Sequence, residues 1–313
     1  MPTGNANYAA MAAATTAFWA SGEFKNAVYD GVPFIKWLLN GDRERTWDGG
    51  TPILEPVMFD GNNTVQAQTY YQEVNNTPQD GLTAAQFTPK MYSATVIMSR
   101  VEQALNAGEN QMIDLWETKC DQAILGMQNR LGSDVFLDGT ADANAVTGLA
   151  AIVSATGTYG NISRTSNTYW QAYVEATAAV LSESYIRTGY NTASRLNSYV
   201  DLMITTQTLF EVYESLIVPT MRAQMPQSVG DLGVPYLEYK GVPIIYDNNC
   251  QSGTWYFLNS KFLKWRPLQG WNMQIDGPLQ PVRQAVDEIN IYWVGALTAN
   301  NCRYEGKLTG KTA

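Results

Sequence analysis

Residues 52–100 read PILEPVMFDGNNTVQAQTYYQEVNNTPQDGLTAAQFTPKMYSATVIMSR. Val57 and Phe59, then Val65, Ala67 and Thr69, alternate with other residues at the two-residue period of a half-buried strand. Asp60-Gly61-Asn62-Asn63 supplies a turn between the two runs. A polar tip follows, Asn75-Asn76-Thr77-Pro78-Gln79-Asp80-Gly81, and the chain returns through Met91 to Ser99, rich in β-branched and aromatic residues. So extended an arm has too few apolar residues to cover its own faces. It is expected to lie on another body, most economically a second copy of the same chain.

Before the excursion, an N-terminal arm carries the apolar anchors Phe34, Ile35, Trp37, Leu38 and Leu39, then the charged cluster Asp42-Arg43-Glu44-Arg45. Asp48-Gly49-Gly50 is a strong turn signal. After the excursion, Ser99-Arg100-Val101-Glu102 has capping-box spacing and opens a helix, with Gly108 as a break and a second capping signal at Asn106 and Glu109. Met112, Trp116, Cys120, Ala123, Met127 and Leu131 then step by three or four, one stripe on a helix of about six turns that is expected to end near Gly132. Residues 137–148 read as a loop and 168–185 as a second helical segment. Next come a strand at 200–205, a helix at 207–225, and a loop holding Pro226, Gly230, Gly233 and Pro235. Strands are expected at 236–239, 242–246, 255–259, 261–265, 273–275 and 289–297, followed by a short tail. No internal repeat or low-complexity linker divides the chain, so two portions interleaved in sequence are expected.

Composition narrows the chemistry. The 313 residues carry no histidine, which removes every triad that pairs serine or cysteine with it, and the three scattered cysteines cannot form a zinc cluster. Cys120, Cys250 and Cys302 read as reduced thiols of a protein assembled in the cytoplasm. A net charge of −9 is the wrong sign for a surface that must displace counterions from DNA, though tolerable for a container wall. Only 16% of residues are charged, and Asn, Gln, Ser and Thr supply much of the remaining polar surface, which a partner desolvates more cheaply than ions. No run reaches the roughly 18 apolar residues of a membrane span, and the first residues lack the positive start of a secretory signal. Gly157-Thr158-Tyr159-Gly160 lacks the lysine and context of a phosphate loop. Asn161-Ile162-Ser163 fits a glycosylation acceptor without a visible secretory route.

Two alternatives keep some chemistry open. Asp134 with Asp138, Asp142, or Asp287 with Glu288 could act as acid and base on a glycosidic bond, although carboxylates beside loops more often cap helices or face solvent. Trp255, Trp265, Trp271 and Trp293 could stack on sugars, although tryptophans in apolar strands more often pack a core or an interface. Asp138, Asp142 and Asn144 lack the full spacing of a calcium loop.

Several phrases carry a resemblance: Asp48-Gly49-Gly50 before the excursion; Glu102, Leu105-Asn106 and Gly108 at the helix entry; Gly148-Leu149; and Tyr159-Gly160-Asn161-Ile162-Ser163-Arg164 with Trp170 downstream. With the order of elements, these resemble the major capsid proteins of tailed bacteriophages, the HK-ninety-seven type fold shared with encapsulins. In that family the Tyr-Gly-Gly-Ile run has glycine where this chain has Asn161.

The resemblance implies an α+β fold: an N-terminal arm (1–48), an extended E-loop β-hairpin (49–98), a peripheral P-domain with a long spine helix (99–196) and an α/β axial A-domain (197–285). A closing strand and tail (286–313) would return to the P-domain. It also implies a coat protein without catalytic, cofactor or metal site, assembling in the host cytoplasm into pentamers and hexamers of an icosahedral virion shell around double-stranded DNA. Copies of itself are the implied partners, with scaffolding, portal and decoration proteins as further ones, DNA in non-specific proximity, and no membrane. Some members crosslink Lys to Asn; no such pair is assigned here. Subunit contacts are expected at Phe34, Trp37 and Leu38, at the tip residues Asn75, Asn76 and Asp80, and at the axial loop residues Pro226, Gly230 and Pro235. An encapsulin-like compartment and a carbohydrate-active or carbohydrate-binding protein are the competing readings.

Overall fold

Alternation along residues 90–99 turns Tyr92, Val96 and Met98 inward and Met91, Ser93 and Ile97 outward, so this stretch forms a strand covered on one face. The computed structural model describes residues 32–39, 43–101, 109–217, 237–281 and 284–313, without the side chains of 109–118. Strand β3 (Lys90–Ser99) pairs antiparallel with β14 (Val286–Ala299) over ten residues, from Lys90 opposite Gly295 to Ser99 opposite Val286. The other edge of β14 takes β13 (Gln274–Leu279) and β12 (Leu263–Pro267), completing a four-stranded antiparallel sheet. Its core is aromatic: Trp265 and Trp293 stack with ring centres 4.9 Å apart, and Tyr92 meets Trp293 edge-on at 5.6 Å.

The second sheet is mixed, in the order β6 (Tyr173–Glu175), β15 (Gly306–Leu308), β11 (Trp255–Leu258), β8 (Leu202–Thr205), β10 (Val242–Tyr246), β9 (Leu237–Tyr239). The unbroken apolar runs of β8 and β11 reflect burial on both faces. Leu202, Ile204, Tyr256 and Leu258 join the large core shared with the four-stranded sheet. Met203, Trp255 and Phe257 point the other way, under two helices, Glu183–Ala193 and Gln207–Leu216. The long helix, Glu109–Phe136, spans 28 residues, about 42 Å at 1.5 Å per residue. Its Met127, Leu131 and Val135 enter the large core.

The expected elements hold at 200–205 and at 237–297 with small shifts, and three expectations are corrected. The long helix runs through Gly132 to Phe136, because the missing side chain admits close packing: a Cβ there would stand 2.9 Å from the Asn249 amide and 3.2 Å from Val32. Residues 168–185 are no single helix. A three-residue turn at Thr168–Trp170 leads into β6 and β7 (Ala179–Val180), and helix starts only at Glu183. The tail explains this. β15 lies parallel to β6, and β16 (Lys311–Thr312) parallel to β7, so distant pairing overrides local helical tendency.

Thirdly, the helix after β8 ends at Leu216; residues 218–236, with Pro226, Gly230 and Pro235, lie outside the described residues. Phe34, Trp37 and Leu38 sit in a short helix, Pro33–Leu39, and are buried by the protomer itself. Phe34 packs on Phe136 at 5.8 Å.

Gly148, in the Gly-Leu phrase, follows the long helix so closely that a Cβ would lie 2.1 Å from the Val135 carbonyl oxygen. Backbone cannot yield as a side chain does, so Gly148→Ala should destabilise the fold by about 3 kcal/mol or more, read by denaturant unfolding. Glu305 is fully buried where the two sheets join; its Oε2 accepts the Asn259 N–H at 3.0 Å and its Oε1 meets no donor among the described residues. Burial pushes this carboxyl well above the ordinary carboxylate range. The native state therefore binds a proton that the unfolded chain has released above about pH 4.3. This stability is present below that pH and is lost as pH rises toward the raised value. Glu305→Gln should flatten the decline, visible as a Gln-minus-wild-type stability difference that grows as pH rises above about 4.3.

Candidate assembly surface

The excursion is rooted in a two-stranded hairpin of β1 (Ile53–Met58) and β2 (Leu82–Phe87), with Ile53 opposite Phe87, Glu55 opposite Ala85 and Val57 opposite Thr83. The partner of β1 is thus 82–87, which lacked a clear alternating signal, and not 65–69, which forms no strand. The Phe59 N–H donates to the Gly81 carbonyl at 3.0 Å and closes the ladder. Beyond it, residues 62–80 carry only local bonds, such as the Thr77 N–H and hydroxyl to Asn75 Oδ1 at 3.2 and 2.7 Å. Asn75, Asn76 and Asp80 are exposed there, as are Val65, Val74 and the fully exposed Tyr70 and Tyr71.

The hairpin has unlike faces. Ile53, Glu55, Val57, Ala85 and Phe87 face the protomer and are buried. Leu54, Pro56 and Met58, opposite Gln86, Ala84 and Leu82, face solvent; Met58 is 72% exposed and Leu82 69%. An apolar strand face left open is a docking surface or an aggregation liability.

The seat beneath the inner face is the Tyr-Gly-Asn-Ile phrase. Thr158–Tyr159 and Ile162–Ser163 pair across a two-residue turn with Gly160 at φ 59° and Asn161 at φ 62°. Asparagine tolerates this left-handed region better than most side chains, so the turn survives without a second glycine. Gly160 also lies where a Cβ would stand 2.9 Å from Ala85 and 3.0 Å from the Phe87 ring. Its carbonyl accepts the Gln86 N–H at 2.9 Å, while Phe87 packs on Tyr159 at 5.0 Å and Phe59 on Tyr169 at 5.2 Å. Buried Arg164 stiffens the seat by donating to the carbonyls of Ile152, Thr156 and Trp170 at 2.7, 3.3 and 3.2 Å. Trp170 in turn donates its indole N–H to the Tyr159 carbonyl at 2.9 Å.

The catalytic candidates are occupied in structural bonds. Asp134 is buried and accepts from the Tyr92 hydroxyl and Arg130 Nε, both at 2.7 Å, and Asp142 pairs with Arg130 at 2.5 Å. Burial and this neighbour push the Tyr92 phenol up, while backbone bonding to Asn144 and the Arg130 guanidinium hold the Asp142 carboxyl low. Asp138 caps the Thr140 N–H at 3.0 Å, Asp287 faces Arg100 at 3.5 Å, and Glu288 accepts from Asn290. No acidic or cysteine cluster suited to a metal ion occurs among the described residues. Trp255, Trp265 and Trp293 are fully buried; Trp271 remains half-exposed against Tyr292. Cys120, Cys250 and Cys302 are buried thiols outside any disulfide.

Among solved structures the chain is similar to the capsid subunit of cyanophage A-1(L), with a TM-score of 0.71 at 15% identity over 90% of this chain and 93% of that one. The chain has the tailed-phage major capsid fold. The capsid of Myoviridae phage XM1 matches at TM-score 0.54 and 11% identity, covering 87% of this chain and 90% of that one. The holo-SrpI encapsulin complex of Synechococcus elongatus matches at TM-score 0.55 and 11% identity, covering 88% and 87%. No protein-family model and no curated protein matches the sequence. Within this capsid fold the long helix and the first strand of the hairpin, outlined in sequence, were legible. Missed there were β2, the Glu55 carboxylate on the inner face, and the outward apolar set, for which the Leu54–Pro56–Met58 alternation was the available signal.

If Asp134 serves packing and not acid–base chemistry, Asp134→Ala should lower folding stability by about 2 kcal/mol, because it strands the Tyr92 hydroxyl and one side of Arg130. Urea unfolding measures this.

Proposed function

We propose that the protein is the major capsid protein of a tailed bacteriophage, forming pentamers and hexamers of an icosahedral shell that encloses a double-stranded DNA genome. The observation that carries the reading is a projecting hairpin with an open apolar face, on a chain with the capsid fold. Shell subunits need several interfaces of roughly 800 Å² per partner, and a projecting arm supplies such area without enlarging the protomer. Contacts weak singly become stable together, because a subunit held at one edge is presented to the next at high effective concentration. The net charge of −9 suits a wall along which packed DNA can slide.

In this reading 1–48 is the arm, 49–98 the E-loop, 99–196 the P-domain, 197–285 the A-domain and 286–313 the closing strand and tail. The tip, with Asn75, Asn76 and Asp80, lies on a neighbouring subunit, and the loop of Pro226, Gly230 and Pro235 lines the capsomer axis. The shell belongs to the virion and is built in the host cytoplasm, with scaffolding, portal and decoration proteins as further partners. It performs no catalysis. A second reading, an encapsulin-type compartment, draws on the similarity to the Synechococcus encapsulin.

Negative-stain imaging of the expressed protein should reveal closed shells; nuclease-protected DNA inside native particles selects the virus over the compartment. Met58→Asp and Leu82→Asp should abolish shells while changing protomer stability by no more than about 0.5 kcal/mol, since both sites are exposed. Deleting 75–81 should likewise prevent normal particles.

A further inference from the structure

The inner face of the hairpin root contains one acidic side chain. Glu55, 4% exposed, lies between Ile53 and Val57 on the buried side of β1. A single carboxylate oxygen, Oε1, receives Arg266 Nε at 2.7 Å, Arg266 Nη2 at 2.6 Å and the Thr298 hydroxyl at 3.0 Å. Arg266 belongs to β12 and Thr298 to β14, neighbouring strands of the four-stranded sheet, and both lie more than 200 residues from Glu55 along the chain. β12 is itself held from its other side, where residues 43–47 run beside it through the Arg45 N–H to the Trp265 carbonyl and the Trp47 N–H to the Pro267 carbonyl, each at 2.9 Å.

Apolar packing of Ile53, Val57 and Phe87 attaches the hairpin without fixing its direction, because hydrophobic burial is nearly blind to orientation. Hydrogen bonds to an ion are directional, and three converging on one buried oxygen tolerate little rotation. Replacing a buried ion pair with apolar residues often leaves stability unchanged or raised, and in some proteins such a pair instead specifies one arrangement.

We infer that Glu55, Arg266 and Thr298 form an orientational latch: they hold the hairpin at one angle to the protomer and thereby set the geometry at which copies of this chain meet. The inference rests on the shell reading, in which the hairpin is an assembly arm. The three residues act through the hairpin as positioning residues and need not touch a neighbour.

The test removes both charges together, as Glu55→Met with Arg266→Met, so that neither ion is left unpaired; Glu55→Gln alone is the second variant. The Gln86 N–H, bonded to the Gly160 carbonyl, reports seating of the root. Amide exchange in dilute, unassembled protein should quicken at Gln86 by about tenfold or more in both variants, with Tyr256 in β11 unchanged. Their particles should be of mixed diameter or open where the wild type gives one size. Uniform wild-type particles from the double variant, or wild-type exchange at Gln86, would overturn the latch. So would equal acceleration at Tyr256, which marks general loosening. Wild-type protein that forms no shell would instead sink the shell reading, and Gln86 exchange would still judge the latch.

Discussion

The ten-residue ladder between β3 and β14 is the constraint on which the rest depends. It joins the returning limb of the excursion to the last long strand, across a sequence separation of 195 at Thr95 and Asn290, whose side chains also bond at 2.7 Å. One end of β3 leads into the hairpin and the other toward the long helix. The far end of β14 carries Thr298 and pairs with β12, which carries Arg266. A slip of one residue would turn Tyr92 and Val96 outward and misplace both partners of Glu55. A pairing so distant in sequence costs more chain entropy to close than a local element does.

The two faces of the hairpin divide its labour. An isolated two-stranded hairpin is marginal in water, and this one is stable where its inner face rests on the Tyr159–Ile162 turn, itself braced by Arg164 and Trp170. Its outer face draws nothing from the protomer. Leu54, Met58 and Leu82 stay open to solvent, which a monomer would ordinarily avoid with charge or cover. Attachment and exposure are therefore set by alternate residues of the same strands.

Similarity in fold at 11–15% identity, over most of each chain, is understandable in these terms. Such similarity concerns the path of the chain rather than its residues. Asn161 illustrates this: its backbone takes the positive φ that the turn demands, so the residue can differ while the geometry stays. Gly148 and Gly160 have less freedom, because backbone or ring atoms occupy the space a side chain would need.

Periodicity and composition were enough to outline much of the chain. The apolar runs of β8, β10 and β11, the stripe from Met127 to Leu131 and the β-branched and aromatic composition of β3 are local patterns. The absence of histidine equally removed whole classes of chemistry. Other features exist only in three dimensions. Residues 173–180 become strands because the C-terminus lies beside them, and the long helix passes Gly132 because Asn249 and Val32 crowd it. Phe34 and Trp37 turn inward because Phe136 and β12 await them, and Glu55 is held by Arg266 and Thr298, more than 200 residues away. Local spacing encodes which face of an element is apolar, but which body covers that face is decided by neighbours that the chain reaches only on folding.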